Sequence, residues 1–177
     1  GSCTNSFADV SAEDVAVDAQ GRVYISGWDN RVEVFDSNGA YLTTIGGSYG
    51  TNTSQFNGAI GVAIDSKGNV YVADFNNGRI QKFAPGVPGW QQVNINGFGD
   101  PNYTLSVLEP FNGKLYAGAS ASSFAPQIWQ SSDGKTWINA TKPGQGINSV
   151  GKIIDMFVFK DQLYAGTGWN SDNPATI

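Results

Sequence analysis

The residues able to do chemistry are few, and their types narrow what that chemistry would be. Histidine is absent, which removes the commonest general base and the usual ligand of a catalytic zinc. Serine has no imidazole to activate it, and neither has Cys3, the single cysteine. Paired carboxylates hydrolyse glycosides, but glutamate occurs only at Glu13, Glu33 and Glu109, and the aspartates fall mostly in turns such as "DAQG" and "DSKG". Solvated turn carboxylates are the reading these positions favour. The segment "GGSYG" lacks both the lysine and the following helix of a phosphate loop. Neither "DFNN" nor "NSDN" has the alternating oxygen ligands of a calcium loop. No catalytic residue, metal or cofactor is expected.

The elements that would hold any site are written four times. Tyr24, Tyr71, Tyr116 and Tyr164 each follow a branched apolar residue, at spacings of 47, 45 and 48 residues, in "GRVYISG", "GNVYVAD", "GKLYAGA" and "DQLYAGT". A turn precedes each tyrosine, with Gly21, Gly68 and Gly113 in the same place and Asp161 standing for glycine in the last copy. Aspartate tolerates a left-handed backbone better than most residues, so the turn survives the exchange. An apolar run precedes each turn, and two more follow the tyrosine in the first three copies, as in "RVEVFD" and "YLTTIG". Four short period-2 strands repeating every 45–48 residues predict an all-β protein, a β-propeller of four-stranded antiparallel blades. One such blade cannot bury both of its faces, and repetition supplies the cover.

The blades fall at about 14–47, 61–97, 104–142 and 153–177, within a single domain or segment spanning residues 1–177. The last copy has two strands and the start of a third, so about four repeats are present with the fourth incomplete. Composition agrees: 23 glycines and only 14% charged residues suit tight turns and buried strands rather than a coiled coil or disorder. A net charge of −5 with scattered basic residues leaves no electrostatic footprint for nucleic acid. No apolar run approaches the roughly 18 residues of a membrane span. Cys3 follows a Gly-Ser pair that reads as a cloning remnant. It is either a free thiol in a loose terminus or the lipid-bearing cysteine of a mature lipoprotein.

The first two copies, about 14–97, resemble NHL repeats through Val62, Ile64, Asp65, Gly68, Asn69, Val70, Tyr71, Val72, Ala73, Asp74, Asn77, Arg79, Ile80 and Phe83. The copy at 14–47 matches less well, with "SGWDN" where the family favours Ala-Asp. The segment "QIWQSSDGKTW" (127–137) resembles an Asp-box through Ser131, Asp133, Gly134, Thr136 and Trp137. That hairpin implies a folding role: Asp133 accepting hydrogen bonds from its own turn, with Trp137 packed beneath. The zinc-binding histidines of an NHL-type lyase are absent. The arginine cluster of a sialidase is not offered by Arg22, Arg31 and Arg79, which sit in repeat positions. The change of repeat type near residue 100 also fits a recombined chain.

What remains is a surface. In a blade, the loop after the second strand and the loop joining one blade to the next emerge on the same face. Here that face gathers Trp28, Asp29 and Asn30, then Asp74, Phe75, Asn76 and Asn77, then Trp169, Asn170 and Asp172. Aromatics interleaved with Asn and Asp suit stacking against a carbohydrate or peptide ligand; alternatively Trp28 and Phe75 plug the space between blades. Sequons at Asn52, Asn102 and Asn139 are candidate glycosylation sites and fit a secreted or cell-surface protein. The expected function is a non-enzymatic interaction module whose incomplete blade edges pair with other copies, the segment around Ser6–Val10 of a neighbour adding a strand. The alternative is a piece of a larger secreted glycosidase or lyase with its catalytic residues elsewhere.

Overall fold

The computed structural model describes residues 11–84, 90–94, 96–122, 124–141 and 151–168. The fold is an all-β propeller arrangement. β1 (Ala12–Val17), β2 (Val23–Gly27), β3 (Arg31–Phe35) and β4 (Tyr41–Gly46) make the first blade. β5 (Ala59–Ile64), β6 (Val70–Asp74), β7 (Arg79–Phe83) and β8 (Trp90–Gln92) make the second. The third contains β9 (Thr104–Phe111), β10 (Lys114–Ser120), β11 (Gln127–Ser131) and β12 (Ile138–Asn139), and β13 (Lys152–Phe159) with β14 (Gln162–Gly168) starts a fourth. Within every blade each strand pairs antiparallel with the next. The first strands of successive blades pack side by side, β1 on β5, β5 on β9 and β9 on β13.

Turn chemistry makes the hairpins. Asp18 Oδ1 accepts the backbone N–H groups of Gln20 and Arg22, and Asp65 Oδ1 those of Lys67 and Asn69, all at 2.9 Å. Each aspartate also receives the hydroxyl of the repeat tyrosine, Tyr24 at 3.2 Å and Tyr71 at 3.1 Å. The carboxylate therefore stitches the turn to the strand that follows it. Glycine serves these turns at φ 76° in Gly21 and 77° in Gly68, and Asp161 takes the corresponding left-handed angle, φ 57°, in the last copy.

The core lies between blades. Tyr24, Val32, Val34, Phe56, Val62 and Val72 fill the space between the first and second blades. Tyr71, Ile80, Leu105, Leu108 and Leu115 fill that between the second and third, with Phe98, Trp129 and Trp137 against them. Val107, Ile153 and Met156 begin a third layer, which Tyr116, Ile128 and Leu163 border. Each fully buried aliphatic or aromatic side chain contributes about 1.5–3 kcal/mol, so stability accrues at the blade junctions. The second blade has neighbours on both faces, and β6, "VYVAD", is buried along its whole length, with Tyr71 2% exposed. Among the described residues the two ends lack this cover. Val15 and Val17 stand open on β1, as do Ile154, Phe157, Val158, Phe159 and Tyr164 on the β13–β14 hairpin.

All four inner strands break register at one place. The ladders skip Glu13 in β1, Ile60 in β5, Ser106 in β9 and Ile154 in β13. A bulge re-aims its extra residue and sharpens local twist, and here all four extra residues face one groove. Among the described residues no helix is long and apolar enough to cross a membrane.

Candidate functional site

The turn between β2 and β3, the turn between β6 and β7, and the loop joining β4 to β5 meet on one face. Hydrogen bonds fasten them. Asn30, held at φ 62°, accepts the Gly58 N–H on Oδ1 at 2.8 Å. The Phe75 N–H donates to the Gly58 carbonyl at 2.8 Å, and Asn76 Nδ2 donates to Asn57 Oδ1 at 2.9 Å. The Trp28 and Phe75 rings meet edge to face at 5.3 Å, against Gly58. Trp28, Asp29, Asn30, Asp74, Phe75, Asn76 and Asn77 are thus brought together. Trp169, Asn170 and Asp172 lie outside the described residues, as does Ser6–Val10.

These side chains divide by burial. Asp74 is wholly buried; its carboxylate accepts the Asn57 N–H at 2.7 Å, Asn77 Nδ2 at 2.9 and 3.0 Å, and Arg79 Nε at 2.6 Å. The Arg79 guanidinium then donates to the carbonyls of Thr51, Asn52 and Gln55. Asp74, Asn77 and Arg79 form a staple that holds the connecting loop over the second blade. Asp29 sits 2.9 Å from Arg31 Nη2, and Arg31 Nε donates to Glu33 at 3.1 Å. Trp28, 44% exposed, and Asn76 keep open surface.

Beside the aromatic pair opens a groove of about 220 Å³. Trp28 and Phe75 form its rim; the four bulge residues, with Asp14, Lys152 and Asp155, line it. Two of the inner-strand acids interrupt otherwise apolar runs, in "EDVAV" and "IIDMF". That interruption is the one trace of the groove in the sequence, and reading the loops alone misses it. Asp14 Oδ2 accepts the Val62 N–H at 2.9 Å, tying the first blade to the second, yet burial holds its carboxyl above the ordinary range. Burial, and then the carboxylates of Asp14 and Asp155, push Glu109 of β9 up to about 7. Ser106 and Ser120 are occupied across the next junction: Ser106 Oγ donates to the Ile153 carbonyl at 2.8 Å, and Ser120 Oγ accepts the Ile153 N–H at 2.9 Å. The groove thus joins an aromatic rim to carboxylates and one ammonium drawn from different blades, an arrangement fit for stacking and hydrogen bonding. No group of three or more acidic or cysteine side chains suited to a metal occurs among the described residues.

Asn52, Asn102 and Asn139 are all exposed. Asn102 Nδ2 donates to Asp100 at 2.7 Å and Asn139 Oδ1 accepts the Thr141 N–H at 2.9 Å. In the third blade the turn at 131–137 has Asp133 accepting from Ser131 Oγ, from Thr136 Oγ1, and from the backbone N–H groups of Lys135 and Thr136. The two backbone donors lead in holding its carboxyl well below the usual range. Trp137 Nε1 reaches back to the Val93 carbonyl at 2.8 Å.

No curated protein sequence matches the chain. Among solved structures it is similar to the extracellular domain of the one-component system BT4673 of B. thetaiotaomicron, at a TM-score of 0.66 and 10% identity. The match covers 99% of this chain and 23% of that one, so the chain spans about a quarter of that structure's length. The likeness bears on fold alone. In sequence, the model of the NHL repeat matches residues 56–83, from the end of the connecting loop through β7, so an NHL repeat spans the first three strands of the second blade.

Proposed function

We propose that this chain is an extracellular, non-enzymatic propeller module that binds a protein or carbohydrate ligand across the face bearing Trp28, Asp29, Asn30, Phe75 and Asn76. The observation that carries the reading is the Trp28–Phe75 pair at the rim of the groove, with Asp14, Lys152 and Asp155 inside it. The NHL repeat, a typical interaction scaffold, and the extracellular neighbour support it. The same reading takes the hairpin at 127–137 as an Asp-box with a folding role, supported by the hydrogen bonds that Asp133 collects. It takes the open faces of β1 and of the β13–β14 hairpin as surfaces where another copy docks.

The test is a titration of the chain with neutral oligosaccharides and with peptides, followed by tryptophan fluorescence, alongside Trp28→Ala. Binding that disappears in Trp28→Ala while the melting temperature is retained supports the reading. Binding unaffected by the substitution sinks it. Turnover of a glycoside, ester or peptide that vanishes on replacing one Asp or Glu overturns the non-enzymatic part. Sedimentation as a stable monomer at high concentration overturns the docking of copies.

A second reading, a segment of a larger secreted propeller enzyme, is favoured by the length of the structural neighbour, of which this chain covers 23%. Further blades encoded in the same gene, bearing an acid pair or a metal set, decide for it.

A further inference from the structure

At the opposite ends of the strands from the Trp28 face, a cleft of about 240 Å³ separates the second and third blades. Its walls are the turn between β5 and β6, the turn between β9 and β10, and the turn after β11; Tyr71 and Leu115 lie at its base. Three of the protein's seven lysines line it, each from a different element: Lys67 from the first turn, Lys82 from β7 and Lys114 from β10. The chain's three arginines are all spent on carboxylates, whereas no lysine forms an ion pair among the described residues. Lys82 Nζ lies 5.2 Å from the centre of the Tyr71 ring, and Lys114 Nζ donates to the neutral Gln130 side chain.

Two carboxylates share the cleft, and neither is free to answer these ammoniums. Asp65 accepts from the Lys67 and Asn69 N–H groups, Asn69 Nδ2 and the Tyr71 hydroxyl. Asp133 is filled in the same way by its own turn. Three ammoniums against two carboxylates leave the lining with a net charge of +1. Because the carboxylate oxygens are occupied by their own turns while the ammoniums form no ion pair among the described residues, the cleft favours an anion in a protein of net charge −5. The volume exceeds what a small inorganic anion fills, and Ser66, Ser132 and Asn112 add hydroxyl and amide groups around it. The corresponding space between the first and second blades has no lysine: its wall is Tyr24, Val34, Leu42, Ile45, Val70 and Phe83 with the Asp18-paired Arg22 and neighbouring threonines.

We propose that the cleft between the second and third blades binds an anionic sugar ring, a saccharide unit bearing a carboxylate, with Lys67, Lys82 and Lys114 facing the charge and Ser66, Ser132 and Asn112 facing ring hydroxyls. The site is independent of the Trp28 face, and neither depends on the other.

Calorimetric titration of the whole chain with trigalacturonate, galactotriose and oligoglutamate of equal charge tests this. Trigalacturonate binds, weakening steeply as salt rises, and galactotriose does not. The Lys67→Ala/Lys114→Ala double variant, altered only at exposed side chains, loses about tenfold or more in affinity, whereas the Arg/Arg double variant retains it. Trp28→Ala leaves this affinity unchanged, which separates the site from the opposite face. Absence of trigalacturonate binding at millimolar concentration, equal binding by the Ala/Ala variant, or equal binding by galactotriose or oligoglutamate each overturns the proposal.

Discussion

Tyr71 of the second blade lies directly beneath Gly134 of the third: a Cβ built on that glycine would fall onto the tyrosine hydroxyl and ring. Gly134 also holds φ 69°. Two constraints coincide there, an angle that side chains seldom adopt and a space already taken. Gly134→Ala is expected to destabilise the chain by about 1–3 kcal/mol in urea unfolding. Gly113, at φ 71° with nothing near, provides the control. Gly113→Ala bears the backbone strain alone and should cost less; equal losses would show that the Tyr71 contact is unimportant.

Tyr71 itself separates packing from hydrogen bonding. Burial, then the Asp65 carboxylate, drives its phenol far above the ordinary range, so the hydroxyl stays protonated and donates. Tyr71→Phe removes one hydrogen bond and should cost about 1 kcal/mol, while Tyr71→Ala opens a cavity between blades and should cost about 3 kcal/mol. An unchanged melting temperature in Tyr71→Ala would contradict the packing described for the second junction.

Breaking the Asp74–Arg79 staple leaves a carboxylate buried without its cation. Arg79→Met is expected to cost about 3–5 kcal/mol. It also frees the carbonyls of Thr51, Asn52 and Gln55, so the connecting loop should be cut faster by a protease under native conditions. Slowed or unchanged cleavage there would argue against a fastening role.

The pH dependence should bear the mark of Glu109. Burial pushes its carboxyl up to about 7 in the folded chain from an ordinary value of 4.5. Between those values the unfolded chain gives up the proton that the folded chain keeps, so this group's contribution to stability is present below about pH 4.5 and is lost as pH rises toward 7. Glu109→Gln should flatten that fall and melt higher than the parent at about pH 8. The carboxyls of Asp65 and Asp133 move the opposite way and act in a separate, more acid window, where their stabilisation is lost as pH falls. A Glu109→Gln profile parallel to the parent's from pH 4.5 to 7 would refute the assignment.

The fold class was legible because its signal is local and repeated. Each tyrosine turn needs only a residue able to take a left-handed angle and an apolar run on either side, and even the Asp161 exchange is readable in those terms. The environments of the tyrosines were less legible. Tyr24 and Tyr71 are buried over Asp18 and Asp65, while among the described residues Tyr116 and Tyr164 have no such carboxylate and keep more surface, the Tyr164 hydroxyl donating to Gln162 instead. Asp74 reads as a loop-side polar residue and Arg79 only as a repeat position, since their burial comes from carbonyls 24–28 residues before Arg79 that fold back over them. Periodicity carries no information at that range. The bulges were invisible for another reason: Glu13, Ile60, Ser106 and Ile154 share no chemistry, and their common geometry follows from the curvature of the inner strands. The groove they line was hidden with them.

Because the cores lie between blades and every described strand pairing but one stays within its own blade, opening of this chain should be graded along its length. Amide exchange should be slowest in β6, which has packed neighbours on both sides, and quicken outward to β1 at one end and β14 at the other. A substitution at the junction of the first and second blades should then be felt in exchange rates as far as β6 and fade beyond β10. Damage to one junction stays near it, and the far blades keep their shape while it opens.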